Sequence, residues 1–282
     1  MSILVGTCAW TDHDGFYPQG MPAADRLGFY AAHFPLVEVD ATFYGLPREA
    51  TVENWIRRTP EGFVMDVKAE RRMTGHDRAL DAQARIAACQ EFAQRMRPLQ
   101  ASGRMGAVLL QFPPWMVRSA QAIAELRQLR DALGEYAVSV EMRHRSWFQD
   151  GGAEILDALR EMGAAHVAAD EPQAGSGSVP LVPAVTGSIS VLRLHGRNAK
   201  AWNVRGESSR ERFDYLYGTE EILLLAQTAR TLAQTAEEVH VLFNNNARNY
   251  ALQNAFEFAR TVGQATPGPR AHVLFPDEPG TT

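Results

Sequence analysis

The residues most able to do chemistry fall in a few short runs. Leu36-Val37-Glu38-Val39-Asp40 carries two carboxylates two positions apart in a β-branched stretch. Glu141-Met142-Arg143-His144-Arg145-Ser146-Trp147-Phe148 is dense in hydrogen-bond donors. Further on stand Arg193, His195 and Arg197, and then Asn244-Asn245-Asn246. A spacing of two places side chains on one face of a strand. Glu38 therefore shares a face with Asp40, Glu141 with Ser139 and Arg143, and Arg193 with His195. If Val37 and Val39 pack outward, Glu38 and Asp40 point inward and need a cation or donor there. Lys68, Arg143 and His195 are the available partners. Two outcomes are open for Glu38 and Glu141: acid–base catalysis, or a structural ion network.

The catalytic reading gives each group a role. Glu38 or Glu141 is the general base, with Lys68 and His195 as acid or electrostatic partner. Arg143 and Arg197 clamp an anion with their planar forks. Asp40, Gln111 and Asn244 supply further polar contacts. Trp10, Tyr44 and Trp147 offer rings that stack a ligand or close a lid. The expected ligand is a small or oligomeric anion, phosphate-containing in the more specific version. A divalent metal is a candidate cofactor, because Glu38, Asp40, Glu141, Asp170 and His195 are ligand types. No H-x-x-x-H or paired-cysteine spacing supports it. A non-catalytic site for a nucleotide or RNA segment is the first alternative. A glycoside hydrolase using Glu38 and Glu141 as paired carboxylates is the second.

The cations are very unequal: 26 Arg against Lys68 and Lys200. A GC-rich coding sequence explains the bias. It also sets apart the two lysines that persist, since Lys can lose its proton when desolvated and Arg effectively cannot.

The elements that must hold these groups alternate. Apolar runs at 3–7, 36–40, 63–68, 105–112, 136–141, 164–170, 190–195 and 239–244 are predicted strands. Helical spacing covers 22–33, 49–58, 79–97, 119–133, 152–162, 219–236 and 251–263. The Gly/Ser/Pro-rich stretch 171–188 is an expected loop in place of a sixth helix, and 196–218 a second long loop. This order suits a single α/β domain, a (β/α)8 TIM barrel over residues 1–265 with a tail at 266–282. An open doubly wound sheet is the alternative, though Gly6-Thr7-Cys8-Ala9-Trp10 lacks a dinucleotide fingerprint. The chemically interesting residues sit at predicted strand C-termini, which line a barrel's mouth.

Composition excludes other classes. A net charge of −5 in 282 residues argues against a free-standing basic nucleic-acid binder. A hydrophobic fraction of 45% argues against disorder. No window approaches the roughly 20 apolar residues of a membrane helix, so no membrane partner is expected. Two cysteines and a first segment without a basic n-region lead us to expect a cytoplasmic protein.

The segments GTCAW (6–10), FPLVEVDATFYGLP (34–47), NWIRRTPEGFVMDVKA (54–69), LLQFPP (109–114), VEMRHRSWF (140–148), LRLHGR (192–197) and FNNNARNYALQNA (243–255) resemble the DUF72, or YecE-like, family. The resemblance implies a TIM barrel and supplies no established reaction. Its motifs include Trp10, Glu38, Tyr44, Lys68, Gln111, Glu141, Arg143, Trp147, His195, Arg197 and Asn244. Two positions depart from the family pattern: Cys8-Ala9 stands where Ser-Gly is usual, and Asp40 where Asn is usual.

Overall fold

The computed structural model describes residues 2–13, 15–202 and 209–265. The expected tail at 266–282 and the centre of the second long loop lie outside the described residues. Eight parallel strands close in chain order: β1 (Ser2–Cys8), β2 (Leu36–Val39), β3 (Val64–Lys68), β4 (Met105–Gln111), β5 (Ala137–Glu141), β6 (Ala165–Asp170), β7 (Ile189–Leu194) and β8 (Glu238–Phe243). β1 pairs with both β2 and β8, which removes the open doubly wound alternative.

The outer helices are α1 (Ala23–Ala31), α2 (Glu49–Arg58), α3 (Ala82–Ala101), α4 (Ala120–Ala132), α5 (Ala153–Glu161), α6 (Ser209–Arg212), α7 (Thr219–Leu232) and α8 (Tyr250–Val262). Residues 171–188 carry no helix, as expected. α6 is a single turn within the second stretch expected to be loop. Sequence polarity marks some starts well: Asp81 accepts from Ala84 N at 2.8 Å and Ser119 from Ala122 N at 3.1 Å, each capping its helix. α3 differs from expectation, running to Ala101 rather than stopping before Pro98. Proline removes one N–H, but its carbonyl still accepts from Ser102 N at 3.0 Å, and Leu99 is fully buried.

Alternation along the strands builds two apolar regions. Val37 and Val39 pack outward with Tyr30, Val52 and Phe63 against the helices. Leu36 turns inward with Cys8, Leu109, Val167, Val191 and Leu242 to fill the barrel. Each fully buried aliphatic side chain contributes about 1.5–3 kcal/mol. Gly6 is required where β1 meets β2, because a Cβ there would collide with the Leu36 carbonyl. At the N-terminal end of the barrel, His240 lies 2.9 Å from both Asp66 Oδ2 and Glu238 Oε1. Gly106 leaves the room that the Asp66 carboxylate occupies.

Candidate active site at the mouth of the barrel

Strand parity sends Glu38, Lys68, Gln111, Glu141, Arg193 and His195 to the C-terminal end of the barrel. The centre is Arg193, fully buried on β7. Its Nη2 donates to Glu38 Oε1 at 2.5 Å, and its Nη1 donates to Glu141 Oε2. The same Nη2 lies 3.6 Å from Cys8 Sγ. Sequence reasoning named Arg193 only as a companion of His195. A cation inside the apolar run Ser190-Val191-Leu192-Arg193-Leu194 was the available signal, since a buried guanidinium requires acids.

Glu141 is saturated. Its Oε1 accepts from Gln111 Nε2 at 2.8 Å and lies 3.1 Å from Arg143 Nη1. His195 Nε2 stands 3.4 Å from the same oxygen. Burial raises the Glu141 carboxyl, but Arg193, Arg143 and His195 outweigh it and hold it well below the usual range. His195 is itself fully buried, and burial with the Arg143 charge pushes it down to about 3. Asn244 Nδ2 donates to its Nδ1 at 2.9 Å, which assigns the neutral ring's proton to Nε2, facing Glu141.

Arg143 carries the network outward. Its Nη1 donates to Glu171 Oε2 at 2.5 Å, and its guanidinium lies 5.2 Å from the centre of the Trp202 ring. Glu171, which sequence reasoning missed in its loop, also accepts from Val179 N at 2.6 Å. Burial pushes it up to about 7. Glu38, Arg193, Glu141, Arg143 and Glu171 thus form a chain of alternating carboxyl and guanidinium groups. The ion-network reading holds geometrically for Glu141.

The other side of Glu38 differs. Glu38 Oε2 is buried and accepts no hydrogen bond from a described donor, and the same is true of Asp40 Oδ1. Lys68 Nζ stands 3.3 Å from Asp40 Oδ1, off the hydrogen-bond direction. An oxygen of each carboxyl and the Cys8 sulfur lie within 4.8 Å of one another. Burial pushes Glu38 up to about 8, with Arg193 and Lys68 opposing and Asp40 adding to the rise. Burial also raises Asp40, but the charges of Lys68 and Arg193 carry it below the ordinary value. Two ionised carboxyls only accept, so a hydrogen bond between this pair would require a proton on one of them.

The metal expectation narrows. Among the described residues only Cys8, Glu38 and Asp40 converge as a ligand set. Glu141 is taken up by Arg193, Gln111 and Arg143, His195 Nδ1 by Asn244, and Asp170 is held elsewhere. Arg193 and Lys68 already supply positive charge beside the converging set, and burial keeps the Cys8 thiol protonated. The donor set therefore fits a divalent cation poorly.

Other expected site residues take different places. Trp147 is fully buried and donates Nε1–H to Met116 O at 2.7 Å, so its ring is core and does not line the mouth. Arg197 is committed to Asp170, at 2.8 Å, and to Glu221, at 2.7 Å, with Tyr217 OH on the same aspartate. That ties β6 to α7 and leaves Arg197 no free fork for an anion. Trp10 is half-buried, edge-on to Trp55. Tyr44 is 81% exposed. Lys200 is exposed and outside the cluster.

Comparison with known proteins agrees with this fold. Residues 4–278 match the family described as "Protein of unknown function DUF72". The chain is 36% identical over 258 residues to UPF0759 protein YunF of Bacillus subtilis, covering 89% of this chain and 92% of that protein. It is 29% identical to UPF0759 protein YecE of Escherichia coli K12 over about half of each chain, 54% and 52%. A DUF72 family protein of Enterococcus faecalis superposes with a TM-score of 0.83 at 29% identity, covering 95% and 98% of the two chains. One from Thermotoga maritima gives 0.82 at 29%, covering 93% and 100%. A D-psicose 3-epimerase, at 12% identity and a TM-score of 0.51, shares the barrel fold alone. No described helix is long and apolar enough to cross a membrane. A closed eight-stranded barrel and a family match over nearly the whole sequence identify the chain as a member of the DUF72 (UPF0759) family.

Proposed function

We propose that this protein is a hydrolase of a small anionic substrate, working by acid–base catalysis at the mouth of the barrel. The observation that carries the reading is the Glu38–Asp40 pair, two inward carboxyls with one unsatisfied oxygen each, beside Lys68. Like charges this close do not both ionise readily, so the pair holds one proton at neutral pH. Glu38 delivers that proton to the leaving oxygen as the scissile bond breaks. Asp40 takes a proton from the attacking water, whose oxygen bonds to the reacting atom. Transfer from Asp40 back to Glu38 restores the starting state. Arg193 stabilises the transient Glu38 carboxylate, and Lys68 holds the substrate's negative charge. Glu141, His195, Gln111 and Asn244 act as positioning residues behind Arg193.

The glycosidase alternative loses ground because one guanidinium bridges Glu38 and Glu141 and the latter has no free oxygen. The test is turnover of a panel of phosphate and carboxylate esters. General acid–base groups contribute about 10²–10⁴-fold, so Glu38→Gln and Asp40→Asn should each cost that much. Activity should also fall as pH rises through about 8, where Glu38 loses its proton. Turnover unchanged in Glu38→Gln refutes the reading. Ligand binding without turnover in the native protein favours a binding module instead.

A further inference from the structure

Beside the carboxyl pair, the loops after β2, β3 and β4 carry a row of aromatic rings that the core does not require. Phe43 and Tyr44 lie 5.3 Å apart, Phe43 and His76 4.9 Å, and His76 and Trp115 5.8 Å, measured between ring centres. Tyr44 is 81% and Trp115 46% exposed, an unusual amount of large ring surface to leave in water. Cations bracket the row: Lys68 Nζ lies 5.0 Å from the Phe43 ring and the Arg78 guanidinium 4.4 Å from that of Trp115. Arg71 and Arg78 are exposed and have no ion pair among the described residues. Burial, followed by the charges of Lys68, Arg71 and Arg143, drives His76 down to about 4, so its ring is neutral within a positive field.

The row is held in place. Thr42 Oγ1 donates to Val39 O at 2.9 Å and Lys68 O at 2.6 Å, and Arg71 N donates to Phe43 O at 3.0 Å. At its far end Trp115 and Arg78 border a cavity of about 250 Å³, also lined by Thr74, Arg85 and Ser119. A neutral ligand would match the rings and leave the arginines without partners. A simple anion would match the arginines and leave the rings bare. From this juxtaposition we infer a binding subsite for a nucleoside phosphate, its base against one exposed ring of the row, Tyr44 or Trp115, and its phosphate toward the cations beside that ring, Lys68 and Arg71 at the one end or Arg78 at the other. The inference extends the hydrolase reading by naming a substrate class, but the binding itself does not depend on turnover.

Calorimetric titration of the whole protein with adenosine 5′-monophosphate, ribose 5-phosphate, adenosine and inorganic phosphate tests it. Stacking one base is worth about 5- to 150-fold in affinity, so the nucleotide should exceed ribose 5-phosphate by that factor. Tyr44→Ala or Trp115→Ala, whichever ring takes the base, should remove much of that advantage and leave ribose 5-phosphate affinity unchanged. Tyr44 is so exposed that its removal does not threaten folding. Raised salt should weaken the nucleotide more than adenosine. Equal affinity for nucleotide and ribose 5-phosphate, or an undiminished preference in both ring variants, overturns the inference. Nucleotide binding that persists in Glu38→Gln, with no hydrolysis by the native protein, keeps the subsite and removes the hydrolase reading.

Discussion

Replacing Arg193 by Met removes the guanidinium between Glu38 and Glu141 while keeping most of the stem's volume. Removing one partner of a buried ion pair costs about 3–5 kcal/mol, because the other charge stays buried without compensation. Here two fully buried carboxyls lose a donor at once. Glu141 retains Gln111 at 2.8 Å and Arg143 at 3.1 Å, whereas Glu38 is left with Lys68 alone as a nearby cation. Glu38 can stay protonated, which limits its share, so the whole loss should be about 3–5 kcal/mol at pH 8. The pH dependence gives the sharper signature. In the native protein Glu141 sits below its ordinary value, so its contribution is complete above about 4.5 and is lost as pH falls. Without Arg193 both carboxyls shift upward, the folded state binds protons more tightly, and stability falls as pH rises. Urea unfolding at pH 5 and pH 8 measures this. The variant should be less destabilised at pH 5, and adding Glu141→Gln should recover more than about 1 kcal/mol at pH 8. A loss under about 1 kcal/mol at pH 8, or a larger loss at pH 5, would show that Arg193 does not hold the buried Glu141 carboxyl in its ionised form.

Two further changes separate strain from electrostatics. Ala9 sits at φ +62°, a left-handed conformation that costs a residue with a Cβ about 1–2 kcal/mol. Ala9→Gly should therefore raise stability by up to about 1 kcal/mol after the entropy glycine adds to the unfolded chain, seen as a higher melting temperature. His240, between Asp66 and Glu238, is raised to about 10 despite its burial, chiefly through Asp66. A raised histidine contributes fully below about 6.5, and that contribution disappears as pH rises through about 10. The urea midpoint of the native protein should fall across that window, and His240→Gln should flatten the fall.

Much of the barrel was legible because its signals are local. Each strand is a short apolar run, and the two-residue alternation of Val37, Glu38, Val39 and Asp40 put the carboxyls on the inner face. The predicted segment 119–133 opens on Ser119, which caps α4, whereas α3 starts at Ala82 behind its cap Asp81 and not at the expected 79. The site was only partly legible, because its pairings are non-local. Arg193 meets Glu38 across 155 positions of sequence, and no spacing rule reports that. Trp147 and Arg197 look like ligand contacts in a donor-rich sequence. Only closure of the barrel shows that one is core and the other is bound to Asp170 and Glu221. Glu171 lay in a stretch whose Gly/Ser/Pro composition signals only a loop.

Infrared spectroscopy of the free protein reports the proposed proton on Glu38 at neutral pH without any substrate. The protonated-carboxyl band that vanishes in Glu38→Gln should persist at pH 7 and titrate at about 8. Its midpoint should fall in Asp40→Asn, which removes the neighbouring negative charge, and rise in Lys68→Met, which removes a positive one. A Glu38 band that titrates near the ordinary value of 4.5, unmoved by either substitution, would rule out a proton held on Glu38 at neutral pH.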